Sequence, residues 1–526
     1  MSIRTAARSL RSAARENPGG APLLPAACAA LAMALCLLGL TARSIWIDEA
    51  VALRIAQTPG AGVLMSDGGN MAAYYLLLRG WLQLGDELWL VRLPSVLFTA
   101  GAVGLLYLLA RRLFESRRIA VAAAVLLAVN SSVVRYGQEA RSYAMALFLT
   151  VAGWLLLDLA LERRRLALFV LWGLVNALAV ATHLFSVLLV AAQVASLALL
   201  PRRALSWKEA LAGLGVTAAG ASPLLRAAAN RGGVQIDWIP PISGASFRQV
   251  LLFLGGNNFE PSSEPFPATM VIVVLVVCLI GWSAGMWFAV ESVLSHGRSR
   301  QSWRQGVALA WLIVPLAGAA LASATVQPLM VPRFFLGLIP AGCLLLAVAL
   351  SRIPQRPALI AAVAGLTVLG LSGVVRAHGY GDWGWREAAL HLAARAGEGD
   401  RVVVLPARQR LALDYHLERL PDRRRLRIVS PQVRSWRPPD DTLYGVSEAF
   451  LAPSPPEAAA EAAAVYERFW VVTSDYTRFD AAGRIEEAWD EAGEFFDTLG
   501  PGYVVGSART FPRLGVLSVQ PAGTGP

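Results

Sequence analysis

Lysine is all but missing from this chain: Lys208 is the only one among 47 basic residues in 526. Arginine supplies the rest, and the formal net charge is +11. Charged residues of either sign make up only 16%, against about 25% in a soluble globular protein, which excludes a fold solvated by water alone. The arginines sit in short clusters between apolar runs. That excludes the continuous basic face a nucleic-acid partner requires. All four cysteines (Cys28, Cys36, Cys278, Cys343) lie inside apolar runs and read as buried small hydrophobes, not disulfides. The five histidines are scattered, and neither His-x-x-x-His nor Cys-x-x-Cys occurs. The absence of a phosphate loop and of a dinucleotide fingerprint argues against nucleotide-sugar chemistry.

What is abundant is apolar sequence, 56% of the chain. Runs of about 20 residues, enough to cross a bilayer, predict about eleven spanning helices. They fall near 22–42, 88–110, 119–134, 142–162, 166–182, 184–201, 209–225, 267–291, 306–325, 334–351 and 357–377. One set of alternate connections carries nineteen Arg and Lys, while the opposite short loops carry nine in a longer stretch. Positive charge stays cytoplasmic, so the N-terminus is expected inside. The first run exceeds the usual apolar core of a signal peptide and is read as an uncleaved anchor.

The predicted organisation is a cytoplasmic basic segment over 1–21, a membrane domain over 22–377 with a long first outer loop at 43–87, and an extracytoplasmic domain over 378–526. In that tail, helix-like stretches (Trp385–Ala396, Arg408–Glu418, Pro456–Arg468, Arg484–Leu499) alternate with strand-like runs. The strands are expected at Arg401–Leu405, Leu426–Val429, Phe469–Thr473, Tyr503–Val505 and Leu514–Val519, which predicts a small α/β domain. Ser430–Pro455 is proline-rich and reads as loop.

The outward loops hold the candidate chemistry. Asp48 and Glu49, in Trp46-Ile-Asp-Glu49, follow the first apolar run; near lipid such acids must face a wet cavity. The same loop carries Asp67, Asn70, Tyr74 and Tyr75. The second outer loop is Arg135-Tyr-Gly-Gln-Glu-Ala-Arg-Ser-Tyr143, and a third polar spot is Thr182-His183. A fourth loop holds Gln235, Asp237, Trp238, Pro240 and Pro241, and a fifth is Pro328-Leu-Met-Val-Pro-Arg333. Paired acids at a membrane surface point to an enzyme acting on a lipid-borne substrate.

These segments resemble one family in order and spacing. Trp-x-Asp-Glu is followed by Tyr74-Tyr75-Leu-Leu-Leu-Arg-Gly-Trp81, Val91-Arg-Leu-Pro-Ser95, Tyr107-Leu-Leu-Ala-Arg-Arg-Leu-Phe114 and Tyr136-Gly-Gln-Glu-Ala-Arg-Ser-Tyr143. They are similar to bacterial relatives of the protein O-mannosyltransferases and lipid A aminoarabinose transferases, membrane glycosyltransferases of the GT-C fold. The likeness is dense over 40–145 and thins to His183, Gln193 and Arg333. It implies a polyprenyl-phosphate sugar as donor, and a lipid, glycan or protein as acceptor. It gives the general-base role to Asp48 and leaves room for a divalent cation held by outer-loop acids. One departure stands out: the family carries His-Pro-Pro or a relative where this chain has Asn70-Met-Ala-Ala73, and Asn cannot take a proton.

On this reading Glu49 orients the acceptor or the loop, and Arg141 and Arg333 hold the donor phosphate, for which the guanidinium fork is suited. Glu139 holds Arg141 or touches the sugar, while Asn70, Tyr74, Tyr75 and His183 contribute to substrate binding. Each has a structural alternative. The acid pair can cap a helix, Glu139–Arg141 can be an ion pair, Arg333 can snorkel, His183 can be packed, and the tyrosines can anchor the membrane interface. Asn130-Ser-Ser reads as a loop edge. The competing functions are a lipid-linked sugar flippase and a non-enzymatic envelope scaffold. Transport predicts repeat halves and ionisable residues at mid-membrane depth; here no repeat is evident, and Asp158 lies one turn from Arg163–Arg165 at the inner surface.

Overall fold

The computed structural model describes residues 23–57, 69–204, 206–231, 239–256, 268–379, 383–397, 400–405, 409–420, 427–428, 468–474, 478–479, 485–487, 490–511 and 513–522. Asp67, Gln235, Asp237, Trp238, the loop Ser430–Pro455 and nearly all of the helix expected at Pro456–Arg468 lie outside these residues. The chain forms two compact units. One comprises residues up to 38, 92–261 and 265–377; the other comprises 39–91, 262–264 and 378–526.

The first unit is helical. Among the described residues, six helices are long and apolar enough to cross a membrane: Leu88–Phe114, Tyr143–Arg163, Val271–His296, Arg300–Thr325, Pro332–Ser351 and Arg356–Arg376. The chain is therefore a multi-pass membrane protein. Leu23–Leu37, Leu166–Thr182, Ser186–Leu199 and Gly244–Leu254 are apolar but shorter. Trp207–Arg231 has the length, but its alanines, glycines and terminal charges keep it out of the long apolar set. Tyr143–Arg163 and Pro332–Ser351 are almost wholly buried, whereas Val271–His296 and Arg356–Arg376 leave most of their apolar surface uncovered, as lipid-facing helices do.

The stretch expected as one helix over 119–134 is broken. Arg117–Ala128 and Ser131–Gly137 meet at 59°. Asn130 causes the break: its side-chain oxygen caps the second helix at the Val133 amide. Asn130 Nδ2 donates to the Leu254 carbonyl, and Ser132 Oγ donates to that of Phe253. Ser131 donates to the Gly256 carbonyl. The three polar side chains thus donate to carbonyls at and just past the C-terminus of Gly244–Leu254, where helical carbonyls lack i+4 amide partners.

At the opposite ends, Asp158 is fully buried and ties three helices together. It accepts from Arg112 Nε at 2.6 Å and Arg300 Nη2 at 2.5 Å. Arg112 also pairs with Glu162, and Arg304 with Glu115. These arginines belong to the set that the charge asymmetry assigns to one side.

The second unit combines the segment 39–91 with the tail. Its sheet has the order β2-β1-β3-β7-β6, where β1 is Arg401–Leu405, β2 Arg427–Ile428, β3 Phe469–Ser474, β6 Tyr503–Phe511 and β7 Leu514–Pro521. β2, β1 and β3 run parallel; β3, β7 and β6 run antiparallel. Val402 to Leu405 are all buried, as a strand covered on both faces requires. Val403, Phe469, Val471, Phe495, Leu517 and Val519 share one core.

Two expectations change. Tyr503–Val505 is only the start of β6, which continues to Phe511 through a register shift at Gly506 because the apolar β7 offers it a full partner. The helix expected at Arg484–Leu499 begins only at Asp490, since Ile485–Glu487 (β5) pairs with Arg478–Phe479 (β4).

Candidate active site

Trp46-Ile-Asp-Glu49 leads into a helix, Ile47–Gln57, within the stretch 43–87 expected as the first outer loop. The Trp46 carbonyl accepts from the amides of Glu49 (3.1 Å) and Ala50 (3.0 Å), so both acids occupy the first turn, where negative charge is favoured. Helix capping and a catalytic role are therefore not exclusive. Glu49 is fully buried, while Asp48 is half-buried and reaches solvent.

Asn70 stands in a turn before the helix Ala72–Trp81. Met71, the N-cap, holds a left-handed φ of 59° and offers no capping side chain. A non-glycine residue keeps such a backbone at a cost of order 1–3 kcal/mol, and strain of this kind collects at functional sites. It falls where the family resemblance expects His-Pro-Pro. Tyr74 and Tyr75 are fully buried, with rings 6.3 Å apart, and Tyr75 Oη donates to Met71 Sδ at 3.6 Å. Both are packed inside the protein rather than placed at a lipid interface.

The first unit supplies a second cluster. Ser142 and Arg141 follow the short helix Ser131–Gly137, which is seated by Gln138: its Nε2 donates to the carbonyls of Cys36 (2.9 Å) and Leu38 (2.7 Å). A Cβ on Gly137 would meet Cys36 Sγ and Thr99 Oγ1 at 2.7 Å, so only glycine lets these elements approach. Ser95 Oγ donates to the Glu139 carbonyl at 2.6 Å. The Glu139 carboxylate accepts from Arg135 Nε at 2.8 Å, both groups being buried.

Arg141, His183 and Arg333 come together through a run of rings. The Arg141 guanidinium lies 5.8 Å from the Tyr143 centroid, and Tyr143 lies 5.4 Å from His183. His183 lies 5.2 Å from Phe334, over which Arg333 sits at 6.0 Å. Burial, then the charges of Arg141 and Arg333, hold the His183 imidazole well below its usual pKa, so it is neutral. Its Nδ1 accepts from the Phe185 amide at 3.3 Å, which leaves the proton on Nε2. That N–H is buried and has no hydrogen-bond partner among the described residues. Two cations and a neutral donor in one cluster, with Arg141 and His183 buried and Arg333 half-buried, suit an anion.

Two residues escaped sequence reading as site candidates. Arg92 is 1% exposed within the apolar helix Leu88–Phe114, and a charge inside an apolar run was the available signal. Trp383 stacks on Trp46 from far along the chain, with nothing local to announce it. Among the described residues no group of three or more His, Cys, Asp or Glu is placed to hold a metal.

A helical unit with six described helices long and apolar enough to cross a membrane fits the fold of the GT-C class of membrane proteins. The comparisons give this class particular members. The family model described as dolichyl-phosphate-mannose-protein mannosyltransferase matches residues 71–225. The chain is 28% identical over 277 residues, 50% of its length, to the undecaprenyl phosphate-alpha-4-amino-4-deoxy-L-arabinose arabinosyl transferase of Pseudomonas aeruginosa (strain UCBPP-PA14). It spans about half the length of the curated relatives it matches. Its fold is similar to that of ArnT from Cupriavidus metallidurans. The apo structure gives a TM-score of 0.59 at 14% identity, covering 93% of this chain and 97% of that one. The structure bound to undecaprenyl phosphate gives 0.56 at 14%, covering 95% and 98%.

Proposed function

We propose that this protein is a glycosyltransferase of the inner membrane that moves a sugar from a polyprenyl-phosphate donor to an acceptor hydroxyl. The observation that carries the reading is the sequence likeness to an arabinosyl transferase named for an undecaprenyl-phosphate sugar, over half of this chain. The eleven-span arrangement, with the N-terminus inside and the tail outside, belongs to the same proposal. In support, residues 39–91 and the tail belong to one compact unit, as expected if both lie on the same side of the membrane.

In the proposed reaction the acceptor oxygen attacks the anomeric carbon as the bond from that carbon to the phosphate oxygen breaks. The bonding pair leaves with the phosphate, and the acceptor proton passes to the Asp48 carboxylate. Asp48 suits this role because it is the acid of the pair that reaches solvent. The departing lipid phosphate is weakly basic and needs charge stabilisation more than a proton. Arg141 and Arg333 supply that charge, and the Nε2–H of His183 adds a neutral donor. Glu49, Asn70, Tyr74, Tyr75 and Glu139 orient acceptor and sugar or shape the loops that do so.

Membranes holding the protein, given radiolabelled polyprenyl-phosphate sugar, should pass label to an acceptor. Asp48→Asn should cut that transfer about 100-fold or more while donor binding persists. Transfer at the native rate in this variant would remove Asp48 as base; label carried across the membrane without covalent transfer would favour a flippase.

A further inference from the structure

The helix Ile47–Gln57 has two working faces. Ala50, Leu53, Arg54 and Gln57 recur at helical spacing and form one wall of a cavity of about 350 Å³. The other wall is the helix Arg410–Leu417 with the two residues after it. At about 100° per residue, Asp48 points roughly half a turn away from this wall. The cavity is therefore separate from whatever Asp48 faces.

Its polar groups balance among the described residues. Arg54, Arg410 and Arg419 meet Asp86, Asp414 and Glu418. Arg410 Nε donates to Asp414 at 2.8 Å, and Arg419 pairs with Asp86. The Arg419 guanidinium also lies 3.5 Å from the Tyr415 ring centroid, and Tyr415 Oη donates to the Asp86 carbonyl at 2.9 Å. These side chains are held by one another before any ligand arrives, which lowers the entropy lost on binding. Burial pushes the Asp414 carboxyl above its ordinary range, opposed by Arg410 and Arg54, so the wall is partly dry. Ala50, Leu53 and Leu411 give an apolar floor.

We propose that this cavity is a non-catalytic saccharide site that takes one or two residues of a neutral glycan. The arginines repel a cation and the carboxylates repel an anion, whereas hydroxyl groups both donate and accept, and a sugar's C–H face fits the apolar floor. The volume lies at the lower end of small-ligand sites, which run from about 300 to 1,000 Å³, and so suits a mono- or disaccharide. This goes beyond the transfer reading, since the cavity binds sugar whether or not Asp48 is a base.

Saturation-transfer NMR on the full-length protein in detergent, with maltose, cellobiose, lactose and mannobiose as probes, tests it. At least one disaccharide should show transfer, equally in the native protein and in Asp48→Asn, and inorganic phosphate or ethylammonium should not displace it. The double variant Gln57→Ala/Glu418→Ala, which alters only exposed groups, should weaken the signal at least 10-fold. Absence of transfer for all four sugars overturns the proposal. So does a signal that survives the double variant, one abolished by Asp48→Asn, or one displaced by phosphate or ethylammonium.

Discussion

Trp383 stacks on Trp46, with ring centroids 6.5 Å apart and planes 17° from parallel. Trp46 lies two residues before Asp48, so the tail grips the segment that enters the acid-bearing helix. Arg513 backs the stack, its guanidinium 4.8 Å from the Trp383 centroid. Arg386 fastens the approach to it: its amide donates to Ser44 Oγ at 3.3 Å, and its Nη2 to the Thr41 carbonyl at 2.8 Å. The tail thus acts on the proposed chemistry by positioning. Trp383→Ala removes a stack worth about 0.5–1.5 kcal/mol beyond its buried area. It should lower kcat about 3- to 10-fold with a smaller effect on KM, and Trp383→Phe should recover most of the loss. Steady-state transfer by the three proteins checks this; equal kcat for native and Ala would free Trp46 from the tail.

Asp158 makes a prediction about stability alone. It is fully buried, and Arg112 and Arg300 both lean on it. Asp158→Ala leaves three partly buried arginines, Arg112, Arg300 and the more distant Arg304, without their common carboxylate, at a cost of about 3 kcal/mol, the lower end for breaking a buried pair. Glu115 pairs with Arg304 from the surface, and such pairs are worth about 0–1 kcal/mol. Thermal unfolding in detergent should show a large fall in Tm for Asp158→Ala and almost none for Glu115→Ala. Similar small shifts would make the Asp158 cluster ornamental.

The long elements were legible because one signal dominated each. Leu88–Phe114 and Tyr143–Arg163 are apolar over most of their length, Arg401–Leu405 and Phe469–Ser474 are rich in β-branched and aromatic residues, and Leu514–Pro521 is a short leucine- and valine-rich run. Ile47–Gln57 was not, because eleven residues of mixed polarity between loop segments carry too weak a period. The break at Asn130 was signalled by three polar residues in an apolar run, but their partners, the carbonyls of 253–256, lie over 120 positions away. For the candidate site, Asp48 and the Arg135–Tyr143 loop stood out by residue type. The ring path from Arg141 through His183 to Arg333 joins three distant segments, and the Trp46–Trp383 stack joins two more. Only folding brings those together.

The tail should be extracytoplasmic. It shares one compact unit with residues 39–91, which follow the first apolar helix, and the positive-inside rule predicts that the arginine-rich connections face the cytoplasm. A reporter active only in the cytoplasm should be silent when fused at Pro526 and active when fused between Arg163 and Arg165. Activity at Pro526 would invert the topology and remove Asp48 from the outer face.

Arg141 and Arg333 should act as a pair on the donor phosphate. Both lower the proton affinity of His183, so both fields reach one buried point. A phosphate seated there would take charge-assisted hydrogen bonds worth about 1.5–3 kcal/mol each, roughly 10- to 100-fold in affinity. Arg141→Ala and Arg333→Ala should each weaken polyprenyl phosphate binding by that factor. Lysine at either position keeps the charge and loses the planar fork, so binding should fall less than with alanine while transfer still drops. The double alanine variant should cost less than the sum of the two in free energy, because one phosphate serves both groups. Titrating the purified protein with polyprenyl phosphate, in parallel with transfer assays, separates the two effects. Native affinity in either alanine variant would take that arginine out of the phosphate site, and strict additivity would place the two on different ligand groups.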